Sequence, residues 1–169
     1  MTYRIAAVLA YVAAVIAANW ATTTYGMLPV GFGQTATAGT YLAGLSFVLR
    51  DSLQDAWGRR GVAASIAVAA LLSYVVADPF IATASAAAFL FSETADTLVY
   101  TPLRRRGYLR AALASNVIGS LVDSFAFLLI AGFPLSALTG QMVAKVTITA
   151  LVVVGVVIGR AVLRQPVHR

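Results

Sequence analysis

Apolar residues run in six stretches of membrane-spanning length, set apart by short connectors rich in glycine, proline and polar side chains. A spanning helix needs about 20 mostly apolar residues. Read this way, the stretches are 5–24, 31–49, 62–77, 80–100, 111–131 and 137–158, of which the second and third are short and leave little room for tilt. The connectors include Gly26 to Pro29, Asp78-Pro79 and Gly132 to Pro134. The pattern predicts an all-α integral membrane protein, a bundle of six transmembrane helices in one domain covering 1–169.

Ionisable residues interrupt this pattern where an anchor would carry leucine. Glu93 and Asp96 lie in the fourth stretch, Asp123 in the fifth and Lys145 in the sixth, while Asp51 follows the second. A charge near the bilayer centre costs about 2.5–3.5 kcal/mol even on the lenient insertion scale. Glu93 and Asp96 are three residues apart and share a helix face. At 1.5 Å per residue, Glu93 falls about 5 Å from the middle of its span. Three amides, Asn19, Asn116 and Gln141, also lie within the apolar stretches.

These polar groups have a structural reading, in which they bond helix to helix and Lys145 pairs with Asp123. One lysine does not neutralise three acids, so the remainder points to proton coupling or to a solute rich in hydrogen-bond donors. A carboxylate accepts two parallel bonds of the kind a guanine-like edge offers. Trp20, Tyr25 or Phe91 would stack on a flat ring, although Trp20, Tyr25 and Trp57 also suit an interfacial belt.

Composition narrows the class further. The 169 residues are 60% hydrophobic and 11% charged, with a mean hydropathy of +0.87. A soluble domain carries about 25% charged residues. Arginines gather before the first stretch and after the second, fourth and sixth; the other connectors hold no basic residue. By the positive-inside rule both termini are cytoplasmic. The net charge of +6 therefore reports topology and not nucleic-acid binding. The N-terminal stretch exceeds a signal-peptide core and is read as a retained span. There is no cysteine, and the single histidine is His168. Nothing matches a phosphate-cradling loop, a Ser-His-Asp set or a metal motif, so neither enzyme activity nor a cofactor or metal is expected. Ala6, Ala10, Ala14 and Ala18 form a small-residue stripe at spacing four, suited to close packing or to a partner protein.

Several ordered blocks carry a family resemblance. They are LSFVLRDSLQDAWGR from Leu45, IATAS from Ile81, SETADTLVY from Ser92, SNVIGSLVDSFAFLLIA from Ser115, and Lys145 in the last span. In these the chain resembles the vitamin uptake transporter (VUT) family of queuosine precursor transporters, from Asn19 to Gly159. The resemblance implies a bacterial-type inner-membrane, multi-pass carrier for 7-cyano- and 7-aminomethyl-7-deazaguanine. It sets Asn19, Asp51, Glu93, Asp96, Asp123 and Lys145 at the family's polar membrane positions. Two departures stand out: the outer loops are short, and Arg50 sits beside Asp51 where a small or apolar residue is more usual. Asp51 is then a gate or topology element as readily as a solute contact. The rival expectation is a substrate-binding subunit of an energy-coupling-factor importer, with the alanine stripe docking its partners. A homodimer and ATPase partners both stay open.

Overall fold

Turn chemistry decides where the helices of this chain stop. The computed structural model describes residues 2–106 and 108–163. Helix α1 (Thr2–Tyr25) ends at Gly26, whose φ of 61° leaves the helical region. A hairpin of β1 (Met27–Gly31) and β2 (Gln34–Thr37) follows, antiparallel, with Met27 opposite Thr37. This corrects the expectation of a span beginning at Gly31. Gly31, Phe32 and Gly33 have φ of 93°, 53° and 69°, closed to a right-handed helix. Hydropathy counted the apolar Phe32 but not its backbone.

Helix α2 (Thr40–Val76) is broken at Gly58, with φ 66° and ψ −175°, a conformation essentially restricted to glycine. The chain reverses there. At one end Arg4 Nε donates to the Ala56 carbonyl at 2.8 Å. At the other end the Gly39 N–H donates to Thr22 Oγ1 at 3.1 Å, and Asn19 Nδ2 to Ser73 Oγ at 3.0 Å. Residues 40–57 and 59–76 are therefore antiparallel arms flanking α1. The first arm continues past Leu49, so Arg50 and Asp51 lie on a helix and not in a loop.

Asp78 caps the next helix, α3 (Pro79–Leu103): its Oδ1 accepts from the Phe80 and Ile81 N–H groups at 2.8 and 3.2 Å. Proline at the first helical position suits this start. A 3₁₀ turn (Arg104–Arg106) leads to α4 (Tyr108–Ile130). Gly132, at φ 71°, ends that helix, and the Phe133 N–H returns to the Leu128 carbonyl at 2.9 Å, the pattern of a Schellman stop. A second 3₁₀ turn (Leu135–Ala137) opens into α5 (Leu138–Leu163). With α2 broken, the described residues form six helical rods.

α1 packs along α2, and α3 along α4, while α5 lies against α2 and the hairpin. The interior is built largely from small residues around Tyr11, Leu53, Val62 and Phe89. Large apolar side chains instead face outward, among them Leu9, Leu71 and Val75 at 64%, 70% and 82% exposure. Water disfavours such a surface, whereas lipid accepts it. Among the described residues three helices, Tyr3–Tyr25, Ala56–Val76 and Leu135–Val152, are long and apolar enough to cross a membrane, and Ala114–Ile130 is a shorter apolar helix. The chain is thus a helical, multi-pass membrane protein. The alanine stripe divides: Ala14 and Ala18 are buried, but Ala6 and Ala10 are exposed.

Candidate functional site

At the hairpin end of the bundle, α1, both arms of α2, α3, α4 and α5 surround one cavity. Lys145 sits on α5 seven residues after its start, about 10 Å into the bundle at 1.5 Å per residue. Its Nζ donates to Asp123 Oδ2 at 2.6 Å and to Ser124 Oγ at 2.7 Å. The ammonium also lies 5.4 Å from the centre of the Phe47 ring. The pairing expected of Lys145 with Asp123 is present, in a buried setting where charge requires such partners.

Two amides complete the polar wall. Gln141 Nε2 donates to Thr37 Oγ1 at 3.2 Å, and Thr37 Oγ1 in turn lies 2.9 Å from Thr40 Oγ1. Asn19 Nδ2 donates to Ser73 Oγ. Both amides thus spend a donor on the protein. Asn19 Oδ1, Gln141 Oε1 and Asp123 Oδ1 have no protein partner among the described residues, and all three residues line the cavity. Beside these open acceptors, each amide keeps a second N–H and the Lys145 ammonium a third, so the wall offers both kinds of group.

Aromatic faces close the other side. Phe47 stacks on Phe89 with centroids 5.8 Å apart and planes at 26°, and Tyr11 meets Phe89 edge-on at 6.3 Å. The cavity holds about 60 Å³ of space for water centres, room for a few waters. A pocket enclosing a drug-sized ligand has roughly 300–1,000 Å³. This conformation is therefore drawn tightly around its polar groups.

Deeper in the bundle, Arg50 Nη1 donates to Glu93 Oε1 at 2.5 Å, the two side chains being 6% and 28% exposed. This corrects the reading of Arg50 as a loop charge and of Lys145 as the lone intramembrane cation. The signal was available: no glycine or proline falls between Gly44 and Gly58, so the helix had no reason to stop at Leu49.

The remaining expected residues lie elsewhere. Asp96 is half-buried on α3 against α4, where a Cβ at Gly119 would stand 3.6 Å from the Asp96 Cβ. Asn116 is exposed in a separate groove, which shares Phe47 and Lys145 with the cavity wall. Asp51 is on α2, and its side chain lies outside the described residues. The aromatics expected to stack are also displaced. Trp20 and Tyr25 pair with each other at 5.7 Å on the exposed surface, and Phe91 is exposed. Thr37 was missed because the hairpin that carries it was read as helix.

No curated protein and no solved structure matches the chain. The family model described as "Putative vitamin uptake transporter" matches residues 75–159, just over half of the chain and the part holding α3, α4 and α5. That stretch supplies Asp123, Gln141 and Lys145 to the cavity. By this match the chain belongs to the vitamin uptake transporter family.

Proposed function

We propose that the chain is a six-span carrier, one membrane domain over 1–169, which imports 7-deazaguanine bases across a bacterial-type inner membrane. The observation that carries this reading is the set of open acceptors, Asn19 Oδ1, Gln141 Oε1 and Asp123 Oδ1, around a cavity walled by Phe47 and Phe89. A deazaguanine carries partners for these acceptors. Its N1–H and 2-amino group donate to carboxylate and amide oxygens, and its flat ring lies against aromatic faces. The aminomethyl form adds an ammonium, which can donate to Asp123 Oδ1 and the amide oxygens. Lys145 fixes Asp123 in place by holding Oδ2 and leaving Oδ1 to the solute.

Orientation follows from the arginines. Arg4, Arg59, Arg60, Arg105 and Arg106 lie toward the end of the bundle at which α2 reverses, opposite the hairpin. Under the positive-inside rule that end and both termini are cytoplasmic, and the cavity lies nearer the outside. Glu93 with Arg50 forms a second charged layer between cavity and cytoplasm. Asp51, Asp96 and Asn116 belong to the path rather than to the solute's first contacts.

The test is uptake of labelled 7-aminomethyl-7-deazaguanine by liposomes holding the purified chain alone, with guanine as competitor. Saturable uptake that Asp123→Asn abolishes is the expected result. A second reading, the binding subunit of an energy-coupling-factor importer, draws on the exposed Ala6, Ala10 and Ala13 of α1, a face that a partner helix would approach closely. Solute binding without uptake by the chain alone would select it.

A further inference from the structure

We infer that the β1–β2 hairpin is a movable cover over the cavity, seated on α5, and that its seam with α5 is where the cavity opens. The hairpin is joined by chain to α1 and α2, so those sides are fixed. Against α5 it holds by non-covalent contacts alone. Gln141 Nε2 donates to Thr37 Oγ1 across this seam. One residue earlier, a Cβ at Gly140 would overlap the Thr35 carbonyl, so strand backbone rests directly on the helix. Ala36 and Thr37 on β2 are 0% and 3% exposed, while Leu28 and Pro29 on β1 are exposed.

Two further observations make this seat a cover and not just a loop. Thr37, Gly39 and Thr40 line the cavity, so the foot of the hairpin is part of the cavity wall. Among the described residues the sheet has two strands, and an isolated hairpin is marginally stable in water. Its closed position therefore depends on the α5 seat. The cavity is too small for a fused-ring base as it stands, and something must move to admit one. Across its seam with α5 the hairpin makes one side-chain hydrogen bond among the described residues, from Gln141 to Thr37. Gly26, at φ 61°, and the turn at Ala38 and Gly39 supply the bends about which it would lift.

The chain has no native cysteine, so a single introduced thiol reports on the cavity without background. Ser85→Cys places that thiol on the cavity wall, and Ser136→Cys serves as an exposed reference. The probe is a charged, water-soluble methanethiosulfonate reacted with the purified full chain in detergent, with no solute added. Ser85→Cys is expected to react at least tenfold more slowly than the reference. Adding Thr37→Val, which removes the seam hydrogen bond, is expected to raise the Ser85→Cys rate about fivefold. Adding Gly140→Ala, which forces the strand off the helix, is expected to raise it at least tenfold. Equal rates for Ser85→Cys and the reference would show an uncovered cavity and overturn the inference. Rates within twofold of the single variant, in proteins with unchanged elution and helical circular dichroism, would overturn it too. If Gly140→Ala fails to fold, Thr37→Val decides the matter by itself. The assay uses no deazaguanine, so the cover and the proposed solute stand or fall separately.

Discussion

Replacing Lys145 with methionine removes a buried charge and leaves its partner in place. In the native protein the ammonium makes two short bonds, to Asp123 Oδ2 at 2.6 Å and Ser124 Oγ at 2.7 Å, and Lys145 is 4% exposed. Removing one partner of a buried ion pair costs about 3–5 kcal/mol, because the other charge is left behind. The Asp123 side chain keeps 13% exposure toward the cavity, so waters there relieve part of this and set the cost near the lower end, about 3 kcal/mol. For a chain of this size each kcal/mol moves the melting temperature by about 2–4 °C. Lys145→Met should then lower Tm in detergent by about 6–12 °C. The double variant Lys145→Met, Asp123→Asn strands no charge and should recover most of that loss, a coupling of about 2 kcal/mol in the mutant cycle. Uptake adds the decisive readout. If Asp123 binds solute, the double variant regains stability but not transport. Recovery of both would make the pair purely structural, and additive losses in Tm would refute the buried-pair reasoning itself.

Other perturbations reach separate parts of the molecule. Arg50→Leu withdraws the 2.5 Å bond to Glu93, worth roughly 1.5–3 kcal/mol as a hydrogen bond between charged groups; a melting temperature equal to the parent's would return Arg50 to the status of a loop charge. Gly58→Ala places a side chain at φ 66°, ψ −175°, costing about 1–3 kcal/mol, and should lower Tm while sparing KM; an unchanged melt would mean the reversal is made differently. Phe47→Ala removes a stacking face of the cavity, worth about 0.5–1.5 kcal/mol beyond its area. It should raise the KM for deazaguanine uptake by up to roughly tenfold, and an unaltered KM would place the ring elsewhere.

Much of this arrangement was legible as hydropathy and spacing. Lys145 found Asp123 because a lysine in an apolar helix must be neutralised, and both lie in the halves of their helices nearer the hairpin. Asn19 and Gln141 reached the same cavity by the same constraint, polar groups turning inward from lipid. Failures came where backbone geometry overrode side-chain character. Gly31, Phe32 and Gly33 read as apolar yet form a turn. Arg50 was assigned to a loop by its charge, although nothing between Gly44 and Gly58 breaks a helix. Aromatic residues were the least legible: Phe47 and Phe89 are indistinguishable in sequence from lipid-facing phenylalanines such as Phe91. Only the rotation of each helix separates them, and a helix built largely of alanine and other small residues fixes that rotation weakly.

The Arg50–Glu93 pair bears on how the protein enters a membrane during synthesis. Residues 40–57 carry Arg50, Asp51 and Asp55, a load that a helix threading into lipid alone would bear at about 2.5–3.5 kcal/mol per central charge. The carboxylate that meets Arg50 is made 43 residues later, on α3. Strictly sequential release into lipid would leave this arm without its Glu93 bond while the second arm and half of α3 are still emerging. Until α3 joins it, the first arm lacks one of the bonds that hold it in the finished protein. A ribosome stalled before Glu93 should therefore leave residues 40–57 more readily extracted by alkali than the same residues in the full chain.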